Sequence, residues 1–99
     1  MHVIVSGKNI DLTPSLQTYA EEKLGRLEHF WSDIIRVHVE LEKNKHHKHG
    51  DVCVVSVRIE IPGNDIRARQ ESSDMHSAID VIATKLERQV IKAKERLRN

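Results

Sequence analysis

The chain has 99 residues, of which 38% are hydrophobic and 31% charged, and a formal net charge of +1. This is the composition of one ordinary globular domain, near the lower end of self-sufficient cores. It excludes a helical membrane protein and a disulfide scaffold: no apolar run approaches the roughly 20 residues of a membrane span, and Cys53 is the single cysteine.

His2 to Ser6 is a β-branched run that predicts a first strand, with no basic start or long apolar stretch of a signal peptide around it. Gly7-Lys8-Asn9 predicts a turn. Thr13-Pro14 predicts a helix start, Thr as cap and Pro at the first helical position. That helix is expected to run to about Glu28 or His29, with Leu16, Ala20, Leu24, Leu27 and Trp31 on its core face. Ile35, Val37, Val39 and Leu41 alternate with Arg36, His38, Glu40 and Glu42, the pattern of a half-buried strand. Cys53, Val55, Val57, Ile59 and Ile61 repeat it, so Cys53 is expected to be a buried core residue in a reducing cytosol. Pro62-Gly63-Asn64-Asp65 is a turn between antiparallel strands. Ile66 to Glu71 is a shorter strand with Arg67 and Arg69 on one side. Ser72, Ser73 or Asp74 caps a final helix.

The order is β-α-β-β-β-α, without a linker or an internal repeat. The expected α+β architecture is a four-stranded sheet with both helices packed on one face. The first helix joins strands that can pair in parallel.

The final helix carries two stripes. At about 100° per residue, Ile79, Ile82, Leu86, Val90, Ala93 and Leu97 fall within roughly 80°. Lys85, Arg88, Lys92 and Arg96 fall within a second arc of similar width, centred about 115° away. Residues 85–99 hold a net charge of +4, so the rest of the chain sums to −3. Concentrated positive charge points to a polyanionic partner. On the first helix, Lys23 and Arg26 lie off the Leu24/Leu27 side. With the helices side by side they are expected to face a groove near Lys85, Arg88 and Lys92, suited to the phosphates of folded RNA. The sheet is a poor competitor, because Tyr19, Phe30 and Trp31 are the only aromatics and none lies in a predicted strand.

Lys45-His46-His47-Lys48-His49 reads first as a loop between the second and third strands. Its imidazoles would gain charge on protonation, and weak binding of a divalent metal is the alternative. No phosphate loop, paired-cysteine motif or nucleophile–base arrangement suggests an enzyme or a cofactor. Asp74 and His76 read as capping and surface residues rather than an acid–base pair.

The run Ile10-Asp11-Leu12-Thr13-Pro14-Ser15-Leu16, then Lys23-Leu24-Gly25-Arg26-Leu27-Glu28, then Asp74-Met75-His76-Ser77-Ala78-Ile79-Asp80 and Lys85-Leu86-Glu87-Arg88-Gln89, resembles the bacterial ribosome hibernation factors across essentially the whole chain. The resemblance implies a fold similar to double-stranded RNA-binding domains. It also implies a cytoplasmic protein, monomeric off the ribosome, that binds 16S ribosomal RNA in the small-subunit channel for messenger RNA and tRNA. By matching position, Lys23, Arg26, Lys85, Arg88 and Lys92 are the implied RNA-binding residues, followed by Lys94 and Arg96 and, more loosely, Lys8. His76 stands where the family often has Tyr. The chain stops at Asn99 and so resembles the short members, which act with ribosome modulation factor to pair 70S ribosomes into inactive 100S dimers. A stand-alone binder of double-stranded RNA or tRNA and a His-loop metal protein are the competing readings.

Overall fold

The computed structural model describes residues 1–46 and 50–98, with the side chains of His46 and Arg98 excepted. The elements are β1 (His2–Lys8), α1 (Pro14–Gly25) continued by a 3₁₀ turn (Arg26–His29), β2 (Arg36–His46), β3 (Gly50–Glu60), β4 (Ile66–Ser72) and α2 (Met75–Arg98). The strands form one four-stranded sheet in the order β1-β2-β3-β4. β1 runs parallel to β2, and the other neighbours are antiparallel. The predicted α+β order and the sheet with its two helices are therefore present.

Local chemistry sets the helix starts. The Thr13 hydroxyl accepts a 3.2 Å bond from the Leu16 amide, and Pro14 follows it. For α2 the capping group is Asp74: its carboxylate accepts from the Ser77 amide at 3.0 Å and the Ser77 hydroxyl at 2.9 Å. These bonds hold the Asp74 carboxyl below the usual carboxylate range. Gly63, at φ 97°, turns the chain from β3 into β4 in a conformation that disfavours a side chain.

The core lies between the helices and one sheet face. Leu16, Ala20, Leu24 and Leu27 on the α1 side and Met75, Ala78, Ile79, Ile82, Leu86 and Val90 from α2 are buried against Val37, Val39, Leu41, Cys53, Val55, Val57 and Ile59. Trp31 closes the core beyond the 3₁₀ turn, and Cys53 is buried as expected. The opposite sheet face is charged, as strand alternation requires.

Several boundaries differ from the sequence reading. Gly7 and Lys8 belong to β1 rather than to a turn. The first helix tightens to 3₁₀ at Arg26, which keeps Leu27 buried. Ile34, not Ile35, enters the core; Ile35 is 49% exposed. Lys45 and His46 extend β2 and pair with Asp51 and Gly50, so they are not loop residues. His47, Lys48 and His49 lie outside the described residues. Leu97 is 57% exposed, because the last turn of α2 outruns the sheet it covers.

Candidate nucleic-acid interface

The position of each cation follows from how α2 is rotated about its own axis. Leu86 and Val90 point to the core, and the flanks on either side of them face different neighbours. One flank carries His76, Asp80 and Lys94 and faces α1. There the Tyr19 hydroxyl donates to the Asp80 carboxylate, and the Lys23 ammonium lies 3.4 Å from the same carboxylate. The Tyr19 and His76 rings meet edge to face, their centroids 4.6 Å apart. The Lys23 nitrogen lies 5.5 Å from the Tyr19 ring centroid, and Lys94 donates to the Phe30 carbonyl at 3.3 Å.

The other flank faces β4. The Lys85 ammonium donates to the Gln70 side-chain oxygen at 2.6 Å. In the last turn of α2, Arg96 lines a shallow depression of about 270 Å³ with Asn64, Asp65 and Ile66, at the start of β4. Lys92 lies between them on the same flank, and Arg88 points more directly outward. All four are exposed.

The expected groove, with Lys23 and Arg26 opposite Lys85, Arg88 and Lys92, is therefore not formed. A helical stripe centred about 115° from the core direction must leave one side of the helix or the other. Here it leaves on the β4 side, whereas α1 lies on the side of Asp80. Lys94 also falls outside the stripe, on the α1 flank.

The two flanks differ electrically. Asp80 is held below the usual carboxylate range, first by the Tyr19 hydroxyl and then by Lys23, against some opposing desolvation. The same hydrogen bond raises the Tyr19 phenol, with desolvation and the Asp80 charge adding to it. By contrast, among the described residues, Arg26, Lys85, Arg88, Lys92, Lys94 and Arg96 have no carboxylate oxygen within 4.0 Å. The Lys23 ammonium already lies against a carboxylate.

The open face of the sheet carries further charge. Glu60 accepts from His38 and lies 3.6 Å from both Arg36 and Arg58; these neighbours hold its carboxyl low, His38 first. Arg58 also meets Asp65 at 2.9 Å, and Arg69 meets Glu71 at 2.8 Å. Arg67 is exposed and has no such partner among the described residues. Alternation along β4 assigns Arg67 and Arg69 to one face, but their proximity to α2 depends on strand order. No group of three or more metal-ligating side chains occurs among the described residues. No described helix is long and apolar enough to cross a membrane.

A single mixed sheet with two helices on one face and an exposed cation row on the second helix defines a small α+β domain. The chain belongs to the Sigma 54 modulation protein / S30EA ribosomal protein family, whose model matches residues 3–98. It is 36% identical over 96 residues to a ribosome hibernation promoting factor of Azotobacter vinelandii, a match covering 97% of this chain and 85% of that one. A ribosome hibernation promoting factor of Klebsiella oxytoca is 31% identical over 98 residues, covering 99% and 98% of the two chains. A solved ribosomal subunit interface protein from Coxiella burnetii superposes with a TM-score of 0.83 at 32% identity, over 96% of this chain and 99% of that one. The resemblance carried by Asp74–Asp80 and Lys85–Gln89 is borne out by these matches.

Proposed function

We propose that the protein silences idle ribosomes by occupying the small-subunit channel through which messenger RNA and tRNA pass. It lies against 16S ribosomal RNA in the cytoplasm, excludes both ligands by its bulk, and supports inactive 100S dimers alongside ribosome modulation factor. The action is steric and uses no chemical step and no cofactor. The observation that carries this reading is the exposed row Lys85, Arg88, Lys92 and Arg96, whose charges meet no carboxylate among the described residues. Arg26 adds an exposed charge beside α1, while Lys23, set against the Asp80 carboxylate, and Lys94, half-buried on the α1 flank, contribute less.

Phosphate-led binding has a measurable signature. Neutralising about five phosphates gives a log–log salt slope of roughly −3.5 to −4.5. Lys85→Glu combined with Arg88→Glu is expected to abolish co-sedimentation with 70S ribosomes while leaving the circular dichroism spectrum unchanged. Undiminished co-sedimentation of that folded variant would overturn the site. Equal competition by bare duplex RNA would favour a general RNA binder over a ribosome-specific one.

A further inference from the structure

Two cation rows run along β4, one on each side of it. α2 is antiparallel to β4: Lys85 reaches Gln70 near one end of the strand, and Arg96 lies beside Asp65 and Ile66 at the other. Lys85, Lys92 and Arg96 thus follow the strand on its helix side over roughly 16 Å, taking 1.5 Å per residue. Arg67 and Arg69 follow the same strand on the opposite face of the sheet, two residues apart and therefore side by side.

β4 is an edge strand. No further strand separates the two rows, and a ligand can reach both around that edge. Within the sheet, Arg67 is paired in register with Arg58. Like charges directly opposite are unfavourable in a sheet. Arg58 is relieved by Asp65 and Glu60, whereas Arg67 has no carboxylate within 4.0 Å among the described residues. Among the described residues Arg69 is tied only to Glu71, and that pair is exposed and easily exchanged for a stronger anion.

We infer that the RNA surface continues from α2 around the edge of β4, and that Arg67 and Arg69 bind phosphates of the same RNA that Lys85, Lys92 and Arg96 hold. This rests on the proposed ribosome-binding role and extends it to a second face of the molecule. The surface ends at the inner strands. On the open face, Glu40 on β2 is exposed and disfavours a polyanion, and Glu60 on β3 already occupies the neighbouring cations. Arg36, spent on Glu60 at the far corner, therefore lies beyond it.

The test compares four variants, the Lys85→Glu with Arg88→Glu helix variant among them, for binding to 70S ribosomes across a salt series, each checked for fold by circular dichroism. Arg67→Glu with Arg69→Glu is expected to weaken binding at least about tenfold and to flatten the log–log salt slope by about 1 for each arginine. Arg67→Gln with Arg69→Gln should flatten the slope similarly without introducing repulsion. Arg36→Gln should leave affinity and slope unchanged. If both β4 pairs bind like the parent while Lys85→Glu with Arg88→Glu does not, the inference falls and the helix site stands. If the helix variant also binds normally, the ribosome-binding reading falls with it. A loss with Arg36→Gln equal to that of the β4 pairs would show a diffuse charge effect and overturn the localised surface.

Discussion

The two flanks of α2 belong to one helix and share one core stripe, yet they meet different surroundings. The flank toward α1 is closed: Asp80 gathers the Tyr19 hydroxyl and the Lys23 ammonium, His76 packs against Tyr19, and Lys94 is bound to the Phe30 carbonyl. The flank toward β4 is open, with Lys85, Arg88, Lys92 and Arg96 exposed and, among the described residues, unmatched by acid. The number of basic residues does not separate them. What separates them is the neighbour: Asp80 and the Phe30 carbonyl engage Lys23 and Lys94 on the α1 side, whereas among the described residues no carboxylate lies within 4.0 Å of the β4-side cations. Lys23 lies in the seam between the helices, paired with Asp80.

The largest test of this contrast acts on what the flanks share. Leu86 is fully buried at the centre of the apolar stripe. Leu86→Ala is expected to cost about 2–5 kcal/mol by removing buried methyl groups and leaving a cavity. For a domain of this size that is a large part of a total of roughly 5–15 kcal/mol. Denaturant unfolding should show one transition at lower midpoint, because both flanks hang from the same helix. Two separated transitions would mean that the flanks are independent units and that the comparison is misdrawn.

Next in size is a test of the flanks against each other. Lys92→Glu with Arg96→Glu on the open flank is expected to weaken ribosome binding by at least about a hundredfold, since each charge-assisted contact is worth roughly 1.5–3 kcal/mol. Lys23→Gln on the closed flank should change it by less than about threefold, because the neutralised Lys23 charge has little left to give. Filter binding or co-sedimentation at one fixed salt concentration measures both. Equal losses would erase the distinction and restore Lys23 to the RNA surface.

The sequence made the elements legible because each rule used is local. Thr13-Pro14 is a cap and a start whatever surrounds it, and the alternation from Val37 to Leu41 identifies a half-buried strand by itself. The errors arose where local rules stop. Ile34 and Ile35 are adjacent apolar residues just before β2, and alternation cannot choose between them outside the strand. β2 and β3 outrun their apolar pattern to His46 and Gly50 because backbone pairing continues without buried side chains. The basic row on α2 was legible as a stripe, but its neighbour was not. Helical periodicity fixes angles about one axis, and only the strand order reveals that β4 rather than α1 lies beneath Lys85 and Arg96.

The smallest expected effect belongs to the closed flank and is read by pH. Asp80 has a depressed pKa in the folded state, so its contribution is complete above the ordinary carboxylate value of about 4 and is lost as pH falls through the depressed one. Tyr19 has a raised pKa, so its contribution is complete below the ordinary phenol value of about 10 and is lost as pH rises through the raised one. The seam should therefore be pH-independent between about 4 and 10 and weaken on both sides. Tyr19→Phe removes the shared hydrogen bond and leaves Lys23 as the partner of Asp80. The Asp80 carboxyl, followed by NMR titration, should then move up toward its ordinary value, with only a slight fall in unfolding midpoint at neutral pH. Ribosome binding should not change, because nothing on the β4 flank depends on Tyr19. An unmoved Asp80 titration would mean that Lys23, rather than the phenol, holds that carboxylate; the closed flank would then be an ion pair sensitive to salt, like the open flank it is contrasted with.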